Sequence, residues 1–65
     1  MNVLLQELEK QVTSLLPGEI VSIRQNTLGL YGLDHQGMIK WLKERNLTAK
    51  FISETATIEG KRPTE

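Results

Sequence analysis

The chain has no cysteine and a single histidine, His35, among its 65 residues. Few features constrain a fold harder. Domains near this size often lean on disulfides or a structural metal, because a short chain buries only a modest share of its surface. Thiolates are absent here, and one imidazole cannot anchor a zinc site unless carboxylates or a second subunit complete it. Apolar burial, or association with a partner, must therefore hold the chain together. A core of this size rarely supplies more than about 3–5 kcal/mol of net stability, so size alone puts a homodimer among the expectations.

The apolar residues fall into periodic runs. VLLQELEKQVTSLL, residues 3–16, places Leu5, Leu8, Val12 and Leu15 on one stripe at helical spacing, with Leu4 and Leu16 widening it. Asn2 suits the N-cap and Pro17-Gly18 the stop. EIVSIRQ, residues 19–25, is β-branched and reads as a strand with Val21 and Ile23 on one face and Ile20, Ser22 and Arg24 on the other. TLGLY, residues 27–31, alternates Leu28 and Leu30, which predicts a second strand and a hairpin about Gln25-Asn26. Gly29 and Gly32 leave a structured loop over 27–33 as the other reading.

Asp34 is placed to cap a second helix, in which Met38, Ile39, Trp41, Leu42 and Arg45 trace an inward arc and Asn46 provides the stop. Gln36, Lys40, Lys43 and Glu44 are left outside. LTAKFIS, residues 47–53, alternates Leu47, Ala49 and Phe51 against Thr48, Lys50 and Ile52. A bulge or turn near Glu54-Thr55 then leads to a short strand, 56–59, and GKRPTE forms a polar, flexible tail over 60–65. The expected architecture is one α+β domain over 1–59 in the order α-β-β-α-β(-β). Its two helices pack on a small antiparallel or mixed sheet.

The formal charge is zero, unlike the uniformly basic surface of a nonspecific nucleic-acid binder. Lys40, Lys43, Arg45 and Lys50 nevertheless stand against Glu44 alone in one short segment. Some of that clustering suits the C-terminal end of a helix dipole without any ligand. No apolar run approaches the ~18–20 residues of a membrane span, and no basic segment precedes an apolar one near the start, as a signal peptide would require. A soluble cytoplasmic chain is the expectation.

Chemistry for catalysis is thin. Ser14, Ser22 and Ser53 lack a G-x-S-x-G context, and His35 adjoins Asp34 in sequence without facing it on a helix. Gly29, Gly32 and Gly37 make no dinucleotide fingerprint, and no phosphate-binding G-K-[ST] occurs. The chain reads as a non-enzyme with no catalytic, cofactor-binding or metal-binding residues. Trp41 reads as core and not as a stacking platform for bases.

Two functional readings remain. The first is a protein-interaction module, a homodimer, with contact candidates Leu5, Leu8 and Val12 on the first helix, whose stripe reads first as packing on the chain's own sheet, and Leu28, Leu30, Tyr31 and Leu33 in the LGLYGL stretch. The alternative is a small DNA-binding accessory or regulatory protein using a basic helix and a C-terminal wing. Its contact candidates are Gln36, Lys40, Lys43, Lys50, Lys61 and Arg62. If the last two strands form a hairpin behind the second helix, the outline resembles a winged-helix or excisionase-type DNA binder.

Overall fold

The computed structural model describes residues 2–64. Its elements run α1 (Val3–Thr13), β1 (Ile20–Arg24), a 3₁₀ helix (Gln25–Tyr31), α2 (His35–Glu44), β2 (Thr48–Ile52) and β3 (Thr57–Lys61). The three strands form an antiparallel sheet in the order β1-β3-β2. The expected α+β architecture, two helices on a small sheet, is what the chain adopts. Among the described residues no helix is long and apolar enough to cross a membrane.

α1 begins where the sequence places it. Asn2 Oδ1 accepts from Leu5 N at 2.9 Å, and Asn2 Nδ2 donates to Leu30 O at 2.9 Å, tying the helix start to the 3₁₀ helix. The helix ends three residues before the expected Leu16. Thr13 and Ser14 both turn their hydroxyls back onto Lys10 O, and Leu15 N bonds to Val12 O. Such local bonds compete with helix continuation. Leu4 and Leu16, expected to widen the apolar stripe, are both exposed.

Residues 27–31 depart most from expectation. They belong to the 3₁₀ helix, and no hairpin forms about Gln25-Asn26; the neighbour of β1 is β3. A three-residue period brings Leu28 and Tyr31 to the same side, Leu28 buried and Tyr31 packed against the core. Leu30, the other half of the supposed alternation, points outward. Thr27 Oγ1 donates to Arg24 O at 2.7 Å to start the helix. Gly32 closes it with φ 70°, the left-handed conformation glycine adopts without strain.

β1 presents Val21 and Ile23 to the core and Ile20, Ser22 and Arg24 to the bare side of the sheet, as its alternation requires. β2 and β3 are joined by the turn 53–56, in which Ala56 takes φ 51°. The turn lets the alternation restart, so that Ile58 lies opposite both Ile23 and Phe51 and is fully buried. The core gathers Leu8 and Val12 from α1, Leu28, and Met38, Trp41 and Leu42 from α2, over Ile23 and Ile58 of the sheet. Gly60 sets the helix-to-sheet distance. A Cβ there would lie 3.2 Å from Leu42 Cδ2 and 3.2 Å from Val21 Cγ1, closer than ordinary contact.

Residues 60–62 of the expected tail are part of the sheet, and Glu65 lies outside the described residues. Gly60 and Lys61 complete β3, and Arg62 is half-buried. Gly18 N donates to Arg62 O at 2.8 Å and Arg62 N to Glu19 O at 3.0 Å, extending the ladder past the strand. Apolar patterning misses this because the strand's last inward position is a glycine.

Candidate nucleic-acid interface

The 3₁₀ helix, the turn 32–34 and α2 make two short helices joined by three residues that include a left-handed glycine. A turn of about three to four residues that often includes glycine also joins the two helices of a helix-turn-helix. The first helix was hidden from pattern reading because 3₁₀ geometry leaves no 3.6-residue stripe. At the start of α2, Asp34 Oδ1 accepts from Gly37 N at 2.7 Å. A side chain at residue 37 would place its Cβ 2.9 Å from that oxygen, so this tight cap is matched to glycine.

α2 divides its residues sharply. Met38, Trp41 and Leu42 are buried, while Gln36, Lys40 and Lys43 stand exposed along the opposite side at i, i+4 and i+7. Half-buried Ile39 lies among them, and with Glu44 these residues line a shallow hollow of about 410 Å³. Neither Lys40 nor Lys43 forms a salt bridge among the described residues. Gln36 sits in the first turn, where a groove-bound helix makes its base contacts. Its amide can both donate and accept, the pair adenine asks for in the major groove.

The other basic candidates do not join this stripe. Lys50 and Lys61 project from the bare face of the sheet, away from α2, with Glu59 between them. Lys50 Nζ lies 3.7 Å from Glu59 Oε1. Arg62 turns inward, which corrects its assignment as a nucleic-acid contact. Its Nη2 donates to Val12 O at 2.6 Å and its Nη1 to Arg45 O at 3.0 Å, so one guanidinium satisfies carbonyls at the C-terminal ends of both helices.

Arg45 is likewise occupied. Its guanidinium lies 3.8 Å from the centroid of the Trp41 ring, donates to Trp41 O at 3.0 Å, and reaches Glu9 Oε1 at 3.5 Å. Trp41 is thus covered as well as buried, in line with its reading as core. A cation the sequence reading passed over is Arg24. It is exposed where β1 enters the 3₁₀ helix, beside the turn 53–56, to which Gln25 N is bonded through Ala56 O at 2.8 Å. Its isolation in sequence hid it, although its place just before the first helix was readable.

The protein-contact candidates also separate. Leu8, Val12 and Leu28 are buried in the chain's own core and offer no exposed surface, which corrects their place in a contact face. Leu5, Tyr31 and Leu33 are half-buried against that core, and of the LGLYGL leucines only Leu30 is well exposed, at 59%. His35 stacks edge-on against Phe51 with centroids 4.8 Å apart. Among the described residues no cluster of three or more acidic or histidine side chains is arranged to hold a metal ion. No family model, curated protein or solved structure matches the chain.

Proposed function

We propose that this chain is a small DNA-binding accessory or regulatory module that lays α2 in the major groove. One observation carries the reading. A short helix, a glycine turn and α2 present Gln36, Lys40 and Lys43 on a face that the core does not use. The β2–β3 hairpin stands beside the N-terminal end of α2, where His35 meets Phe51, as the wing of the outline would. The turn 53–56 is bonded to the start of the 3₁₀ helix through Gln25 N and Ala56 O and is the segment of the hairpin offered to the phosphate backbone. Few cations face outward here, so affinity rests on few phosphate contacts and is modest. In this reading the chain is non-catalytic, needs no cofactor, and acts in the cytoplasm.

The test is an amide NMR titration with a short DNA duplex, at low and then moderate salt. We expect shifts over residues 24–27, 36–43 and 53–56 that fade as salt rises. The Lys40→Glu/Lys43→Glu double variant should lose them while keeping its fold. A spectrum that does not move at low salt would overturn the proposal.

A further inference from the structure

The sheet has two free edges, and they differ. Ladder bonds in an antiparallel pair are made by alternate residues. Arg62 N bonds to Glu19 O and Gln25 N to Ala56 O, so the odd-numbered residues of β1 point their backbone groups at β3. Those of Ile20 and Ser22, and the N–H of Arg24, therefore point to the open edge, while the Arg24 carbonyl accepts from Thr27 Oγ1. Within Ile20–Arg24 no proline or lysine guards that edge, and the bulge in which Gly18 and Glu19 both face Arg62 lies just before the strand. Ile20 at its start is 49% exposed.

From this edge we infer that the chain forms a two-fold dimer in which β1 of one copy pairs antiparallel with β1 of the other, centred on Ser22. The register is the one that keeps all of Ile20–Arg24 paired. Ser22 meets its own copy and the two exchange both backbone bonds. Each Arg24 N–H meets the carbonyl of the partner's Ile20. On the inner face Val21 lies across from the partner's Ile23, continuing the apolar layer of the sheet. On the outer face the aliphatic stem of Arg24 covers the partner's Ile20. No like charges oppose each other.

The occupant is a second copy, because the strand is complementary to itself and a core this small gains from added burial. β2 fails the same test. There Thr48, Lys50 and Ile52 are turned to β3, leaving Ala49 and Phe51 with outward backbone groups. Full two-fold pairing of β2 would set Lys50 against Lys50 at a non-hydrogen-bonded position, where side chains are closest. Lys50 is a guard and Ser22 is not. α2 packs over β2 and β3, so a β1–β1 dimer leaves the DNA-facing stripe free. The dimer does not depend on the DNA reading.

Sedimentation equilibrium of the full chain, over a dilution series reaching NMR concentrations, tests this. The expected mass is two copies of the 7.4 kDa chain, dissociating on dilution because the paired strand is short. Ser22→Lys, which brings like charges together, should halve the mass with unchanged circular dichroism. Ser22→Pro should do the same, since the N–H it removes points off the edge. Lys50→Glu should leave the dimer intact. A wild-type monomer at NMR concentration would overturn the inference. So would a dimer that survives both Ser22 substitutions, which would place the contact elsewhere.

Discussion

Two pairs of basic residues, Arg45 with Arg62 and Lys40 with Lys43, have opposite uses in the fold. Arg45 and Arg62 turn inward, where their guanidinium groups cover a tryptophan ring and satisfy the carbonyls that end α1 and α2. Lys40 and Lys43 turn outward from α2 and touch no acidic side chain among the described residues. The division follows from chemistry. A planar guanidinium offers several donors in a fixed fork and stacks on an aromatic face, so it can be half-buried with most of its donors met, Arg45 Nε being the buried one left without a partner. An ammonium on a flexible stem is more strongly hydrated and stays in water. A count of basic residues along the segment treats the two groups alike, although one stabilises the fold and the other is free to meet a ligand.

The comparison breaks first at Arg62. Arg62→Ala removes two charge-assisted hydrogen bonds that join three elements, and should cost about 2–4 kcal/mol in urea unfolding. Arg62→Lys should recover only part of this, because one ammonium cannot span both carbonyls as the fork does. Arg45→Ala comes next, at about 1–2 kcal/mol, from the lost cover over Trp41 and the lost bond to its carbonyl. A rise in tryptophan solvent exposure, read by fluorescence quenching, should accompany it. If Arg45→Ala proved neutral, the arginine would belong with the lysines and the division would fail.

Smaller effects sharpen the other side. Lys50→Ala loses an exposed cross-strand pair with Glu59, worth about 0–1 kcal/mol and less at high salt. Lys40→Glu/Lys43→Glu should change stability by no more than about 0.5 kcal/mol, yet remove duplex binding. Replacing each lysine by alanine instead should lower the slope of log affinity against log salt by about 1 per residue. Gln36→Ala should leave that slope alone and weaken discrimination at one base pair by about 1–3 kcal/mol.

What could be read in advance tracks how local each cause is. Asn2 and Asp34 cap their helices through bonds to residues three positions on. Val21 and Ile23 face inward because strand alternation allows nothing else once one of them is buried. Trp41 reads as core because it lies on the inward arc of α2. The 3₁₀ helix was not legible, since Leu28 and Leu30 alternate like a strand. Only the contact of Leu28 and Tyr31 with the core makes a three-residue period the better solution. The candidate site was half legible. Gln36, Lys40 and Lys43 follow from the arc they are excluded from, whereas the placing of the turn 53–56 beside the 3₁₀ helix depends on the long-range bond of Gln25 N to Ala56 O.

By itself, then, the sequence determined that no disulfide could hold this domain, where α1 and α2 begin, and which side of α2 is wet. Those properties rest on composition or on bonds between near neighbours. Tertiary structure alone decided that β3 lies between β1 and β2, that Arg62 is an internal brace, and that Leu28 belongs to the core. Each is a contact between residues far apart in the chain. Its free energy comes from apolar burial and from meeting backbone groups that only the assembled fold brings within reach.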